Sequence, residues 1–199
     1  MDGFEVIETQ AANVKLLSLA NVSLYQTNLS GINGTFYAIG GREIYGVAVQ
    51  DNKPLHVNAH VTNFDGIKRG TIYFDGNACG FRRVYNALSE INSRLVWAIS
   101  GVSMYPFYDP KEEGFVGAYA DVLRRTNHTA IGCKGDRVYL IVARNLTLDE
   151  FRKRLLNSRL AFDALIALDG GGSTQMRYGG KDIVKSVRVL NHAAVLKEV

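Results

Sequence analysis

The stretch from Ala164 to Thr174 constrains the fold of this chain more than any other part of its sequence. Residues 164–168 form a short, unbroken apolar run, which is typical of a buried strand. Asp169 follows the run directly, and three consecutive glycines and two hydroxyl-bearing residues come next. We therefore expect Asp169 at the end of a buried strand, where its carboxylate leaves the core and reaches a cleft.

The glycine-rich loop after Asp169 predicts an anion-binding turn. Glycines adopt positive φ readily and let a ligand approach the backbone closely. Successive backbone N–H groups in such a turn form a concavity that binds anions, and side-chain hydroxyls add donors. The spacing is not that of a Walker motif, and a turn that only connects two strands is the alternative. The candidate site residues of this stretch are Asp169, Gly170, Gly171, Gly172, Ser173 and Thr174.

The rest of the chain is mostly strand-like. Segments 129–133 and 137–142 flank Lys134-Gly135-Asp136 as a hairpin would, and 22–27 and 95–100 are expected to be strands, the latter ending at Gly101. Thr147 and Glu150 match a helical capping box, and weaker helices are expected at 85–91 and 116–124. The pattern predicts an α+β fold, with a largely antiparallel or mixed sheet and a few flanking helices, as a single domain over 1–199.

The charge of the chain is compatible with an anionic small-molecule substrate. The 199 residues carry a net charge of +4, and the basic residues fall in short clusters without a nucleic-acid motif, so no nucleic-acid polymer is expected as a partner. No run reaches the roughly 18 apolar residues that would span a membrane. The N-terminus does not resemble a secretory signal, which predicts a cytoplasmic protein, or host cytoplasm if phage-encoded. The oligomeric state is left open.

The sequence contains no dedicated metal motif. His56 and His60 have i,i+4 spacing but lack the HExxH glutamate, and the spacing of Cys79 and Cys133 favours free thiols. We expect no cofactor, although a carboxylate beside a phosphate can recruit a divalent cation. Metal ligands therefore remain unknown.

Asn33 is a further candidate. It lies in the segment from Gly31 to Tyr37, between glycines and beside two aromatic residues. Its amide offers a donor and an acceptor to a sugar hydroxyl or a phosphate oxygen, whereas an Asn-Gly turn is the simpler explanation.

A basic cluster precedes the strand-like segment that begins at Thr129. Arg124 and Arg125 carry guanidinium groups suited to bidentate phosphate recognition, and His128 titrates near neutral pH in its unperturbed state. A solvated strand entrance is the alternative for this cluster. Arg188 is a weaker candidate near the C-terminus.

Taken in order, these segments resemble the phosphodiester glycosidase family. The specific match is Leu168-Asp169-Gly170-Gly171-Gly172-Ser173, and the more modest ones are 31–37, 129–132, 146–148 and Arg188. The resemblance covers about residues 30–195. The chain resembles the compact stand-alone family members found in bacteria and phages. It implies hydrolysis of a sugar-1-phosphodiester, or glycan phosphodiester, to the free sugar and a phosphomonoester.

The resemblance also implies roles for individual residues. The implied catalytic residues are Asp169, His128 and Asn33, and the implied substrate- or phosphate-binding residues are Arg125, Thr129, Gly170, Gly171, Gly172, Ser173, Thr174 and Arg188. The family commonly carries arginine where this chain has His128. Either His128 replaces that cation, or Arg124 or Arg125 reaches in from upstream.

Two alternatives remain open at the level of sequence. The same cradle can bind a phosphorylated sugar or nucleotide without cleaving it, and the substrate can be a cell-wall glycan phosphodiester. Asp163 is expected outside the site, because a strand of some five residues separates it from Asp169.

Overall fold

The structure, a computed structural model, describes residues 3–40, 43–55 and 66–197. His56 and His60 lie outside these residues, and so does most of the segment 55–61, whose alternating pattern also predicts a strand. The strands are β1 (Phe4–Gln10), β2 (Val14–Val22), β3 (Gly31–Asn33), β4 (Ala48–Gln50), β5 (Lys53–Pro54), β6 (Arg69–Phe74), β7 (Cys79–Val84), β8 (Trp97–Tyr105), β9 (Thr126–Lys134), β10 (Arg137–Leu146), β11 (Ala164–Ala167), β12 (Met176–Tyr178), β13 (Lys181–Val184) and β14 (Leu190–Leu196). The α-helices are α1 (Ala87–Glu90) and α2 (Leu148–Leu156), and short 3-10 helices span Ala11–Asn13, Leu24–Gln26, Gly117–Leu123 and Gly171–Ser173.

The strands form two sheets. The larger has nine strands in the order β1-β10-β9-β11-β8-β4-β5, with β6 also paired to β8 and β7 paired to β6. The smaller has the order β13-β12-β3-β14-β2. Neighbouring strands in both sheets run antiparallel, which confirms the predicted fold class.

An apolar core joins the two sheets face to face. Leu16, Ile32 and Ala194 from the smaller sheet pack in one cluster with Ile131 and Ile166 from the larger. The opposite face of the larger sheet is covered by α2, whose Phe151 and Leu155 are fully buried. The molecule is thus a β-sandwich with a helical layer on one side.

The helix α2 begins at the predicted capping box. Thr147 Oγ1 accepts the Glu150 N–H at 3.2 Å, and Glu150 Oε2 accepts the Thr147 N–H at 2.8 Å. The helix connects β10 to β11, which are parallel because each is antiparallel to β9 between them. This crossover delivers β11 to the middle of the larger sheet, so that Asp169 follows a fully buried strand.

Some predicted boundaries are wrong. Strand β8 does not end at Gly101 but continues to Tyr105. Gly101 lies inside the sheet because its missing side chain leaves room for the Ala167 carbonyl oxygen, which lies 2.0 Å from the position that a Cβ would take. Segment 22–27 leaves β2 and turns into a short 3-10 helix, and the predicted helix at 116–124 is a 3-10 helix over Gly117–Leu123.

The elements that carry the candidate residues meet at one end of the sandwich. The end of β11 lies beside the start of β9, and the end of β3 lies between the starts of β12 and β14. No helix in the described ranges is long and apolar enough to span a membrane.

Candidate active site

Asp169 is fixed between the two sheets by its own main chain. Its N–H donates to the Gly34 carbonyl at 3.3 Å, and its carbonyl accepts the Asn33 Nδ2–H at 2.8 Å. Its Oδ1 accepts the Gly170 N–H at 3.0 Å. The residue therefore stands at the strand end as predicted, with its carboxylate lining a cavity.

The carboxylate of Asp169 has an unusual proton affinity. Burial raises its pKa to about 6, against the opposing effects of the hydrogen bond from Ser173, the Gly170 N–H and the positive charge of Arg188. At pH 7 and above the group is mostly ionised, so it is suited to act as a base, a nucleophile or a stabiliser of positive charge.

The glycine loop folds into a tight 3-10 turn. Gly171 adopts φ +59°, and the N–H groups of Ser173 and Thr174 donate back to the carbonyls of Gly170 and Gly171 at 3.1 and 3.2 Å. No acceptor within the described residues takes the N–H groups of Gly171 and Gly172. The turn uses the N–H groups of Ser173 and Thr174, the Gly170 N–H donates to the Asp169 carboxylate, and the amides of Gly171 and Gly172 are available.

The two hydroxyl residues of the loop have different surroundings. Ser173 is fully buried, and its hydroxyl hydrogen bonds to the Asp169 carboxylate and lies 3.5 Å from the Tyr37 hydroxyl. Thr174 is also buried and is not part of the cavity wall, so the structure does not bring it to the site.

The Asn33 side chain holds four other residues together by hydrogen bonds, an arrangement that we call the Asn33 clasp. Its Oδ1 accepts Thr129 Oγ1–H at 2.8 Å and the Gln175 N–H at 3.1 Å, while its Nδ2 donates to the Asp169 carbonyl and, at 3.2 Å, to the Gly34 carbonyl. Asn33 and Thr129 are both fully buried. The structure brings them to the site as supports of Asp169, and direct contact with a substrate stays a prediction.

Arg188 is the predicted cation that the structure brings closest to the glycine loop. Its guanidinium lies against Gly172, where an added Cβ would come within 2.8 Å of Cζ and Nη2. Its charge lowers the pKa values of Asp169 and Tyr37, and it forms no ion pair with a described residue. The Ser186 Oγ holds its main chain to the loop by accepting the Arg188 N–H at 3.1 Å and donating to the Gly172 carbonyl at 2.6 Å.

His128, which stands where the resemblance implies an arginine, is buried at the side of the cavity. Its side chain is 3% exposed, its Nε2 lies 2.8 Å from the Leu146 carbonyl, and its ring stacks on Phe151 with centroids 5.9 Å apart. Burial holds its pKa below the ordinary value, although main-chain carbonyls oppose this shift. His128 borders the cavity as a neutral ring.

Arg125 is not brought into the cavity. Its Nη1 donates to the Asn145 carbonyl at 2.7 Å, and its Nη2 pairs with Glu150 at the start of α2. Arg124 instead lines the cavity, with a 3.7 Å ion pair to Asp121. Of the two upstream arginines that the sequence left open, the structure therefore favours Arg124.

Two cavities meet at Asp169. The first, which we call the loop pocket, has a volume of about 200 Å³ and is bordered by the glycine loop, Arg124, His128 and Arg188. The second, the aromatic pocket, has a volume of about 330 Å³. Its aromatic wall consists of Phe36, Tyr37, Tyr45, Phe115 and Tyr119.

The described part of the chain holds no group of three or more His, Cys, Asp or Glu side chains placed to bind a metal ion. Asp163 lies away from the site, as expected: it pairs with Lys134 Nζ at 2.6 Å and accepts the Gly135 N–H at 2.9 Å in the β9–β10 hairpin. Recruitment of a divalent cation by a bound phosphate stays a prediction.

The sequence did not identify three residues of the site. Asp121 lines both pockets, and Gln175 links Asn33 to the Arg188 carbonyl, which its Nε2 reaches at 2.8 Å. Tyr37 was noted only as an aromatic neighbour of Asn33, yet its hydroxyl donates to the Val189 carbonyl at 2.7 Å. The hydroxyl-rich loop before Gln175 was a local signal, but nothing in the sequence near Asp121 pointed to it.

Comparisons with known proteins agree with this architecture. The phosphodiester glycosidase family model matches residues 28–195. The auto-inhibited catalytic domain of zebrafish N-acetylglucosamine-1-phosphodiester alpha-N-acetylglucosaminidase is similar, with TM-score 0.70, 15% identity, and coverage of 99% of this chain and 84% of that one. A hypothetical Synechocystis protein is similar with TM-score 0.56, 12% identity, and coverage of 98% and 57%. At these identities the structures show the fold alone, and a comparison with curated proteins finds no match.

Proposed function

Because this chain belongs to the phosphodiester glycosidase family, we propose that it hydrolyses a sugar-1-phosphodiester to the free sugar and a phosphomonoester. The observation that carries the proposal is the position of Asp169. One half-buried carboxylate, with a pKa of about 6, stands beside a loop with two available amides and beside the guanidinium of Arg188.

The loop pocket suits the phosphate of such a substrate. The phosphate group is anionic, and Arg188 offers a planar cation that can donate two hydrogen bonds to its oxygens. The N–H groups of Gly171 and Gly172 add neutral donors close by. Together these groups would stabilise the charge that builds on the phosphate as it leaves.

Asp169 supplies the carboxylate that the reaction needs. In the hydrolysis, a water oxygen forms a bond to the anomeric carbon, the bond from that carbon to the phosphate oxygen breaks, and its electron pair stays on the phosphate. The ionised carboxylate either accepts the proton of the water, or it stabilises the oxocarbenium charge while the released phosphate takes that proton. Because phosphate is a weakly basic leaving group, a second carboxylate acting as general acid is less necessary than in ordinary glycosidases.

Ser173 and Asn33 would keep this carboxylate in place. The Ser173 hydroxyl hydrogen bonds to it, and the Asn33 clasp fixes its main chain between the sheets. Neither contact requires a substrate, so the site is organised before binding.

The test is turnover of a panel of sugar-1-phosphodiesters and nucleotide sugars, followed by mass spectrometry, with and without EDTA. We expect the wild type to release free sugar and phosphomonoester, and Asp169→Asn to release neither while unfolding at a temperature no lower than that of the wild type. A folded Asp169→Asn protein with full activity would contradict the assignment of Asp169. Loss of wild-type activity in EDTA would reveal a divalent cation.

The same assay separates hydrolysis from binding alone. If every compound stays intact while one binds stoichiometrically, the chain is a non-catalytic module for a phosphorylated sugar or nucleotide. Multiple turnovers per protein molecule exclude that alternative.

A further inference from the structure

The aromatic pocket shares its boundary with the loop pocket. Tyr37, Ile39, Asp121, Val122 and Asp169 border both. A molecule whose reacting atom lies at Asp169 can therefore extend into either pocket, and the chemistry of each wall decides which part of the molecule it accepts.

The wall of the aromatic pocket is firmly built. The rings of Phe36 and Phe115 pack with centroids 5.5 Å apart, and the guanidinium carbon of Arg69 lies 4.8 Å from the centroid of Phe115. Arg69 is 4% exposed, and its Nε donates to the Glu113 carbonyl at 2.9 Å. The two tilted rings and the guanidinium together line the pocket.

A buried carboxylate fastens the segment that carries Phe115. Glu113 is fully buried, and its Oε1 accepts the Gly70 N–H at 2.8 Å and the Ser103 Oγ–H at 2.6 Å. Its Oε2 accepts the Ser103 N–H at 2.7 Å. Because these bonds tie the segment to β6 and β8, the pocket exists without a ligand.

The rim of the pocket presents apolar surface to solvent. Tyr119 is 47% exposed and Ile39 is 73% exposed. Aromatic faces and tyrosine hydroxyls in one cavity match a pyranose ring, which has apolar C–H faces and a polar edge. The wall does not match a phosphate: Arg69 is its one cation among the described residues, and Arg69 Nη1 also faces a main-chain carbonyl, that of Tyr45 at 3.4 Å.

We propose, on the basis of the proposed function, that the aromatic pocket binds the sugar ring and that the loop pocket binds the phosphate and its alcohol. The anomeric carbon is bonded to the ring on one side and to the phosphate oxygen on the other. Cleavage beside Asp169 places these two groups on opposite sides of the carboxylate. The cations Arg124 and Arg188 border only the loop pocket, which sets the direction of the substrate.

Tyr119→Ala tests this direction. Removal of one aromatic face that contacts the sugar should lower kcat/KM about tenfold. Tyr119→Phe keeps the ring and should retain most of the wild-type kcat/KM. The matched control is Tyr178→Ala, because Tyr178 is 52% exposed and borders neither pocket. Two substrate series are compared, one that varies the sugar and one that varies the alcohol.

The expected result is a loss in Tyr119→Ala that depends on the sugar and is the same for every alcohol. If the loss of kcat/KM depends instead on the alcohol, the substrate binds in the opposite direction and the proposal is wrong. An unchanged kcat/KM also overturns the proposal. Saturation-transfer NMR with alkyl sugar-1-phosphodiesters on Asp169→Asn separates this proposal from hydrolysis itself. The proposal is supported, even without turnover, if the sugar C–H protons are saturated in Asp169→Asn and this saturation disappears in Asp169→Asn/Tyr119→Ala. Saturation confined to the alkyl group, or no binding at all, overturns the proposal.

Discussion

At the scale of single residues, the burial of Asp169 links activity to pH. In the proposed reaction the Asp169 carboxylate is ionised, so kcat/KM should fall as the pH falls through about 6. Arg188→Ala removes a charge that lowers this pKa, so the acidic limb of the pH–rate profile should move to higher pH. An acidic limb near pH 4 in the wild type would show that Asp169 is not the titrating group.

The raised pKa of Asp169 also lowers the free energy of unfolding at neutral pH. Asp169 has its pKa raised from 3.8 to about 6, so the unfolded chain ionises first and the free energy of unfolding falls as the pH rises between these values. Asp169→Asn should therefore be more stable than the wild type by about 1–3 kcal/mol at pH 7, with the difference vanishing below pH 4. Urea unfolding at both pH values measures it, and a larger gain at low pH would contradict it.

Gly172 leaves room for Arg188. A Cβ at this position would lie 2.8 Å from the Arg188 guanidinium carbon, and the flexible side chain would have to move. Gly172→Ala should raise KM about tenfold or more, and the Gly172→Ala/Arg188→Ala double variant should be little worse than Arg188→Ala alone.

Arg125→Ala is the control for this pair. Because Arg125 binds Glu150 and the Asn145 carbonyl, its removal should leave KM nearly unchanged. A strong increase in KM in Arg125→Ala would instead support the role that the family resemblance implied for it.

At the scale of elements, Glu113 determines how the segment before the 3-10 helix Gly117–Leu123 sits on the larger sheet. Glu113→Gln would turn an amide N–H₂ toward hydrogen-bond donors of Ser103 or Gly70. The free energy of unfolding should fall by about 1–3 kcal/mol, and KM should rise because Phe115 is no longer held in place.

Its neighbour provides a matched control. The Glu112 side chain is 55% exposed and forms a 2.8 Å ion pair with Arg83, which contributes little because solvent screens it. Glu112→Gln should therefore leave both quantities almost unchanged, as measured by urea unfolding and initial rates. Equal losses in the two variants would show that the buried carboxylate has no special part.

At the scale of the whole molecule, the two sheets should unfold together. They share one apolar core, and the indole N–H of Trp97, in the larger sheet, donates at 2.9 Å to the Ala11 carbonyl in the connection from β1 to β2. We expect one transition, with the fluorescence of this single tryptophan and far-ultraviolet circular dichroism giving the same midpoint.

Leu16→Ala tests the shared core. Leu16 is fully buried in the smaller sheet, so its truncation should lower the free energy of unfolding by about 2–5 kcal/mol, and both probes should shift equally. Two separate transitions, or a shift in only one probe, would mean that the sheets are independent units.

The local features of this protein follow from short-range patterns in its sequence. The strand before Asp169, the β9–β10 hairpin and the Thr147–Glu150 capping box were all predictable, because each depends on residues a few positions apart. The position of Asp169 at a strand end followed from the same short-range pattern.

Which distant residues meet depends on how the two sheets pack together. The Asn33–Asp169 hydrogen bond spans 136 residues and joins two different sheets, and the contact between the Phe36 and Phe115 rings forms only once distant segments pack together. The same packing buries His128 as a neutral ring and turns Arg125 toward α2. Such outcomes depend on burial and on long-range partners, which a local pattern does not contain.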